Sequence, residues 1–163
     1  VWTTGEGFNR VANDNQPPSA WGEFPMESAI PFEEAYGLLP PRLRRQGIRV
    51  IISDLFWPGD PLPTLRKLTE DAAAVHVVQL LAQSDVEPPD PGNVELIDHE
   101  TGETLSLYID ASMQQKYRQT LKRLQQSWHD AARQTGAQLV TLVAEQIDSS
   151  LHRLEEINAL EPA

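Results

Sequence analysis

Ile48-Arg49-Val50-Ile51-Ile52-Ser53-Asp54 is the stretch on which the fold class turns. It is short, rich in β-branched residues, and free of regular apolar–polar alternation. Such a run reads as a strand covered on both faces, as strands of parallel sheets are. Residues 61–73 follow with Leu62, Leu65 and Leu68 at helical spacing, and then Val75 to Leu81 (Val-His-Val-Val-Gln-Leu-Leu) reads as a second buried strand. Strand, helix and strand within about 35 residues make a βαβ crossover, the unit that places two strands parallel. Leu139 to Val143 is a third buried run, and 147–160 reads as a closing helix. The expectation is an α/β fold: a parallel sheet with helices on both faces.

Asn93 to Ile109 has a different rhythm. Leu105, Leu107 and Ile109 alternate with Ser106 and Tyr108, the pattern of a β-hairpin with one face in water, turning at Asp98 to Gly102. Ser112, with Gln115 three residues on, has the spacing of a capping box for a long helix whose core stripe is Tyr117, Leu121, Leu124, Trp128 and Ala131, stopping before Gly136. Upstream, residues 1–25 form an N-terminal loop with a strand remnant at 1–4, broken by Pro17-Pro18. Residues 26–163 read as part of one domain, opening with Ser28 as a helix N-cap and a buried stripe of Ile30, Phe32, Ala35, Leu38 and Leu39.

Composition narrows the function classes. At 163 residues and 40% hydrophobic, the chain suits one domain with a real core. It has no cysteine, which removes thiol nucleophiles, thiolate metal sites and disulfides together, and fits a reducing, cytoplasmic compartment. No apolar run is long enough to span a bilayer, so no membrane insertion is expected. The net charge of −11 repels phosphate backbones, and the arginines at 42, 44 and 45 and the cations at 116–123 read as solvated helix faces, so no nucleic-acid binding is expected. Acid is concentrated at 85–103, with seven carboxylates and no Lys or Arg.

The sharpest chemical feature lies at strand ends. Asp54 follows one parallel strand, and Asp85 and Glu87 follow the next; ligands of open α/β sheets bind in the crevice there. Convergent carboxylates would make a hard-oxygen cation site. The plainer reading is that an Asp after a strand caps the next turn. Asp110-Ala111-Ser112 half-resembles an Asp-x-Ser-x-Ser metal motif, but Gln114 replaces the second serine and helix capping by Ser112 explains it. Trp21, Trp57 and Trp128 read as core or rim anchors, with Trp57 also placed for a contact surface beside Asp54. The four histidines have no metal-ligand spacing, and neither Gly-x-Ser-x-Gly nor either common nucleotide loop occurs. A non-enzymatic module is therefore expected; the alternative is a Rossmann-like hydrolase using Asp54, Asp85 and Glu87 around a divalent metal.

Residues 44–56, Arg-Arg-Gln-Gly-Ile-Arg-Val-Ile-Ile-Ser-Asp-Leu-Phe, resemble the fourth-strand segment of bacterial von Willebrand factor A-like proteins of the domain-of-unknown-function 58 family. Ser84-Asp85-Val86-Glu87, the Asp98-His99-Glu100-Thr101-Gly102 turn and Tyr117 on the long helix continue the resemblance across about 26–160, with Val86 in place of the usual proline. It implies a Rossmann-like three-layer fold and a protein partner. It also implies an incomplete metal-ion-dependent adhesion site, in which Ser28 and Asp54 stand where two ligands should be and Asp-x-Ser-x-Ser has no counterpart. Two oxygens are few for Mg²⁺, so affinity no tighter than about millimolar is expected. The strand-end crevice of Asp85, Glu87 and Trp57 would face the partner. The family's association with MoxR-type AAA+ ATPases implies a role in complex assembly or maturation. A sheet lacking the family's first strand would also leave the 48–53 edge open to a second chain, a homodimer among the outcomes.

Overall fold

The computed structural model describes residues 1–5, 7–21, 30–57, 59–97 and 102–159. The chain divides into two compact units, Val1–Leu43 with Asp98–Glu103, and Arg44–Ile97 with Thr104–Ala163.

In the first unit β1 (Trp2–Gly5) pairs antiparallel with β2 (Gly7–Arg10), and α1 (Phe32–Leu38) follows. The sequence shows only the first of these strands, because a strand that opens on glycine carries a weak signal. What holds it is aromatic packing. Phe8 meets Phe32 edge-on at 5.2 Å and Tyr36 at 5.8 Å, and Phe8, Val11, Phe32 and Ala35 are buried. Gly7 is obligatory there: its φ is +144°, and a Cβ would stand 2.9 Å from that of Leu39. The expected helical stripe is half right, since Leu38 and Leu39 are exposed. The helix begins after Pro31, and Ser28 lies outside the described residues.

The second unit is built on a parallel sheet of β3 (Ile48–Ser53), β4 (Ala74–Leu81) and β7 (Gln138–Val143), in the order β3-β4-β7. Ile48 lies beside Ala74, and His76 beside Gln138. All three expected strands are present and parallel. Between β3 and β4 runs α2 (Pro61–Thr69), capped by the Asp60 carboxylate, which accepts from Leu62 N at 2.9 Å. It stops four residues short of the expected end, where Asp71 takes a left-handed φ of 56°. After β4 come α3 (Gln83–Val86), the antiparallel hairpin β5 (Gly92–Ile97) and β6 (Thr104–Ile109), and α4 (Ala111–Thr135). The expected alternation holds only at the base of the hairpin: Ile109 is buried and Leu107 half-buried between exposed Ser106 and Tyr108, but Leu105, expected on the same inward face, is exposed. Residues 98–101, where the turn was expected, lie outside the described residues.

The long helix corrects one expectation. Its N-cap is Asp110, whose carboxylate accepts from Met113 N at 2.7 Å; Ser112 lies inside the first turn. A carboxylate at the positive end of a helix is the stronger cap. Gly136 closes the helix at φ 75°. Trp128, Ala131 and Ala132 are buried, while Tyr117, nearer the start, is exposed. The closing helix is likewise broken into a 3₁₀ turn at Ala144–Gln146, α5 (Ile147–Ser150) and α6 (His152–Glu156). Ser149 and Ser150 hydroxyls donate to the Gln146 carbonyl at 2.8 and 2.9 Å, a local competition that favours such breaks.

The two faces of the sheet are filled differently. On one, Gln79 of β4 accepts from Thr141 of β7 and from Gln125 of α4, with Val75, Val77 and Leu81 alongside Gln79 in the pleat. On the other, Val78, Val140 and Leu142 pack with Leu80, Leu154 and Ile157. That second cluster stops at β4. Ile48, Val50 and Ile52, which share its face by register, are 71, 55 and 66% exposed. The expectation that 48–53 is covered on both faces therefore fails on one of them. The residues of α6 that cover β4 and β7 do not extend over the outer strand.

Candidate functional site

The carboxyl end of β3 runs into a loop held at every residue. Leu55 is fully buried and adopts φ 63°, a left-handed conformation that costs a leucine about 1 kcal/mol. The position is maintained by its surroundings. Leu55 N donates to Ser53 Oγ at 3.1 Å, Phe56 N donates to Asp54 Oδ1 at 3.1 Å, and the Asp54 carbonyl accepts from Gln79 Nε2 at 2.9 Å. Trp57 meets Trp128 edge-on at 5.0 Å and 89°, a favoured aromatic geometry. With Leu55 drawn in, Asp54 and Phe56 on either side are exposed. The result is a rigid display of one acid and one aromatic ring.

Gln79 organises this end of the sheet. It is 1% exposed, and besides binding the Asp54 carbonyl it accepts from Thr141 Oγ1 at 2.9 Å. One amide thus ties the loop after β3 to β7. A glutamine in an otherwise apolar strand was the available signal for this role, since a buried amide must be satisfied.

The ends of β4 and β7 are stitched in the same way. Asp85 Oδ2 accepts from Ala82 N at 2.7 Å, Glu145 Oε2 accepts from Gln83 N at 2.8 Å, and Gln146 Nε2 donates to Gln83 Oε1 at 3.0 Å. Tyr117 donates to the Asp85 carbonyl at 2.7 Å; partial desolvation of its hydroxyl, with the Asp85 charge adding, raises its pKa. Asp54 and Asp85 are therefore both turn-capping acids, the plainer of the two sequence readings. Glu87 is exposed. Among the described residues no group of three or more His, Asp or Glu is arranged to hold a metal ion, so Asp54, Asp85 and Glu87 do not form a shared metal cage. Ser28 lies outside the described residues. His76 is buried in β4, and its Nδ1 has no hydrogen-bond partner among the described residues. Glu145 and Gln83 were not legible as members of this end, because their roles depend on a contact 62 residues apart in the chain.

Comparison with known proteins gives the family. The family model described as "Protein of unknown function DUF58" matches residues 20–127. The chain belongs to that family. This DUF58 chain is similar to a protein of Mycobacterium avium printed as "Uncharacterized protein MAV169", at 36% identity over 102 residues, 61% of this chain and 58% of that protein. It thus spans little more than half the length of that relative. No solved structure matches it. Among the described residues of this DUF58 chain, no helix is long and apolar enough to cross a membrane.

Proposed function

We propose that this DUF58 chain is a non-enzymatic protein-interaction module of von Willebrand factor A-like type, which docks a partner protein at the carboxyl ends of its strands. The observation that carries this reading is the locked loop at 54–57, where buried Leu55 and the Trp57–Trp128 contact set exposed Asp54 and Phe56 in a fixed geometry. An exposed aromatic beside an acid, ordered before binding, loses little side-chain entropy on docking. In this reading Asp54 would be one oxygen ligand of a Mg²⁺ shell that a carboxylate of the partner helps to complete. The partner this reading names is a MoxR-type AAA+ ATPase, with a role in complex assembly or maturation, and the three-layer fold belongs to the same reading.

The test is calorimetric titration of the chain with a purified MoxR-type ATPase, with and without Mg²⁺. Phe56→Ala is expected to weaken binding about tenfold or more, as loss of an interface aromatic does. Asp54→Asn is expected to remove any Mg²⁺ dependence. Absence of binding, or binding indifferent to Phe56→Ala, would overturn the proposal. Mg²⁺ alone is expected to bind at about millimolar or weaker. Micromolar binding abolished by Asp54→Ala would favour the metal-dependent hydrolase instead.

A further inference from the structure

We infer that the first half of α4 is a docking ridge for an acidic amphipathic helix of a partner protein. Trp128 marks where the packed half of the helix begins: it meets Trp57 just beyond β3 and, with Ala131 and Ala132, is buried. Residues 111–127 extend the helix ahead of this contact by about 25 Å, and none of them is buried. Helices in proteins draw most of their stability from packing an apolar face, so a stretch this long with nothing sealed offers that face to a neighbour. It is nonetheless held in place. Asp110 caps it, Gln114 Nε2 donates to the Pro89 carbonyl at 2.8 Å, and Tyr117 donates to the Asp85 carbonyl. Because α4 leads into β7, this surface belongs to the side of the sheet away from β3.

The occupant follows from charge and spacing. The chain has a net charge of −11, yet from Ala111 to His129 it carries no acid and four cations, Lys116, Arg118, Lys122 and Arg123. All four are exposed, and among the described residues none makes an ion pair. Arg118 and Lys122 stand four apart, a like-charge spacing that disfavours the helix on its own. Met113, Tyr117, Leu121 and Leu124 form a row at helical spacing, with Lys116 and Arg123 on one flank and Arg118 and Lys122 on the other. Met113 and Tyr117 are 43 and 38% exposed, and Leu121 and Leu124 are half-buried. An apolar row between cationic flanks is complementary to a helix whose apolar row lies between acidic flanks. A second copy pairing through α4 would set cations against cations in either direction. A helix, about 10 Å across, can follow the cations and stay clear of the acidic segment that Gln114 and Tyr117 hold beside them. A bilayer or a nucleic acid, charged over its whole surface, would meet those carboxylates. The ridge shares no residue with the 54–57 loop, so the inference stands apart from the proposed docking site.

Fluorescence anisotropy tests it, with the whole chain titrated into a labelled synthetic helix of about three heptads carrying leucine at a and d and glutamate at e and g. A Kd of about 10 μM is expected, rising with salt. Lys116→Gln, Arg118→Gln, Lys122→Gln and Arg123→Gln made together are expected to weaken binding by about tenfold or more. The circular dichroism spectrum is expected to stay unchanged, since glutamine is a good helix former at exposed positions. Met113→Gln, which removes an apolar contact alone, is expected to weaken binding several-fold. Should the fourfold variant fail to fold, Met113→Gln and the salt dependence read the same contact. Absence of binding overturns the inference, and so does binding indifferent to these substitutions and to salt, or equal binding of the same helix with lysine in place of glutamate. Tighter binding of phosphatidylglycerol vesicles or of a DNA duplex than of the acidic helix also overturns it. Phe56→Ala is expected to leave this titration unchanged, so a failure of the ATPase experiment would count against the proposed function alone.

Discussion

β3 and β7 are the two outer strands of one parallel sheet, similar in sequence and opposite in treatment. β7 is Gln-Leu-Val-Thr-Leu-Val, and its Val140 and Leu142 are sealed against Leu154 and Ile157. Its Thr141 carbonyl is occupied by Arg153, whose Nη1 donates at 2.6 Å. β3 is Ile-Arg-Val-Ile-Ile-Ser, the more apolar of the two, yet its equivalent stripe is bare and its outer edge is unpaired among the described residues. What separates them is the chain that follows. β7 is followed at once by α5 and α6, which fold back over it. β3 is followed by the locked 54–57 loop and then by α2, which goes to the other face, where Arg49 meets the end of α2. The face of an outer strand is covered or bare according to where the next segment folds, and β-propensity has no say in it.

The contrast predicts the largest difference in core deletions. Leu142→Ala on β7 is expected to cost about 2–5 kcal/mol, because it leaves a cavity in a closed cluster. Ile52→Ala on β3 is expected to cost about 0.5 kcal/mol or less in the single chain, as for other exposed sites. Urea unfolding at low protein concentration measures both, and equal losses would mean that β3 is covered in solution.

Gln79 sets the next scale, because it joins the two edges through the Asp54 carbonyl and the Thr141 hydroxyl. Gln79→Leu keeps the volume and strands both partners, which is expected to cost about 1–3 kcal/mol. If unfolding shows no loss, water satisfies those groups and the amide is not the tie that its geometry suggests.

The smallest effect belongs to Arg153. Arg153→Ala frees one carbonyl at the β7 edge, a change of about 0.5–1.5 kcal/mol. Its clearer signature lies in hydrogen exchange. β7 amides are expected to exchange faster in the variant, approaching the rate of β3, while β4 stays protected at the centre of the sheet. Unchanged β7 exchange would show that α5 and α6 close that edge without the arginine.

Much of this architecture was legible. Continuous apolar runs marked β3, β4 and β7, alternation marked β6, and helical spacing marked α2 and α4. The misses have local causes. Asp110 outcompeted Ser112 as a cap, serines at 149 and 150 broke the last helix, and a glycine at its start concealed β2. At the strand ends the residue types were read correctly, but their gathering was not. Asp54 and Asp85 each serve a turn beside them, and the groups that bind this end together, Gln79, Gln83 and Glu145, meet only after folding.

The sequence by itself therefore determined the element types, the parallel pairing and the polar residues placed at strand ends. These depend on periodicity and on neighbours within a few positions. Only the tertiary structure decided which strand would be sealed, which acids would be consumed as caps, and that Leu55 would be drawn inward to display Asp54 and Phe56. Those outcomes depend on contacts between residues tens of positions apart, and Ile48, Val50 and Ile52 carry the same side chains whether a neighbour arrives or not.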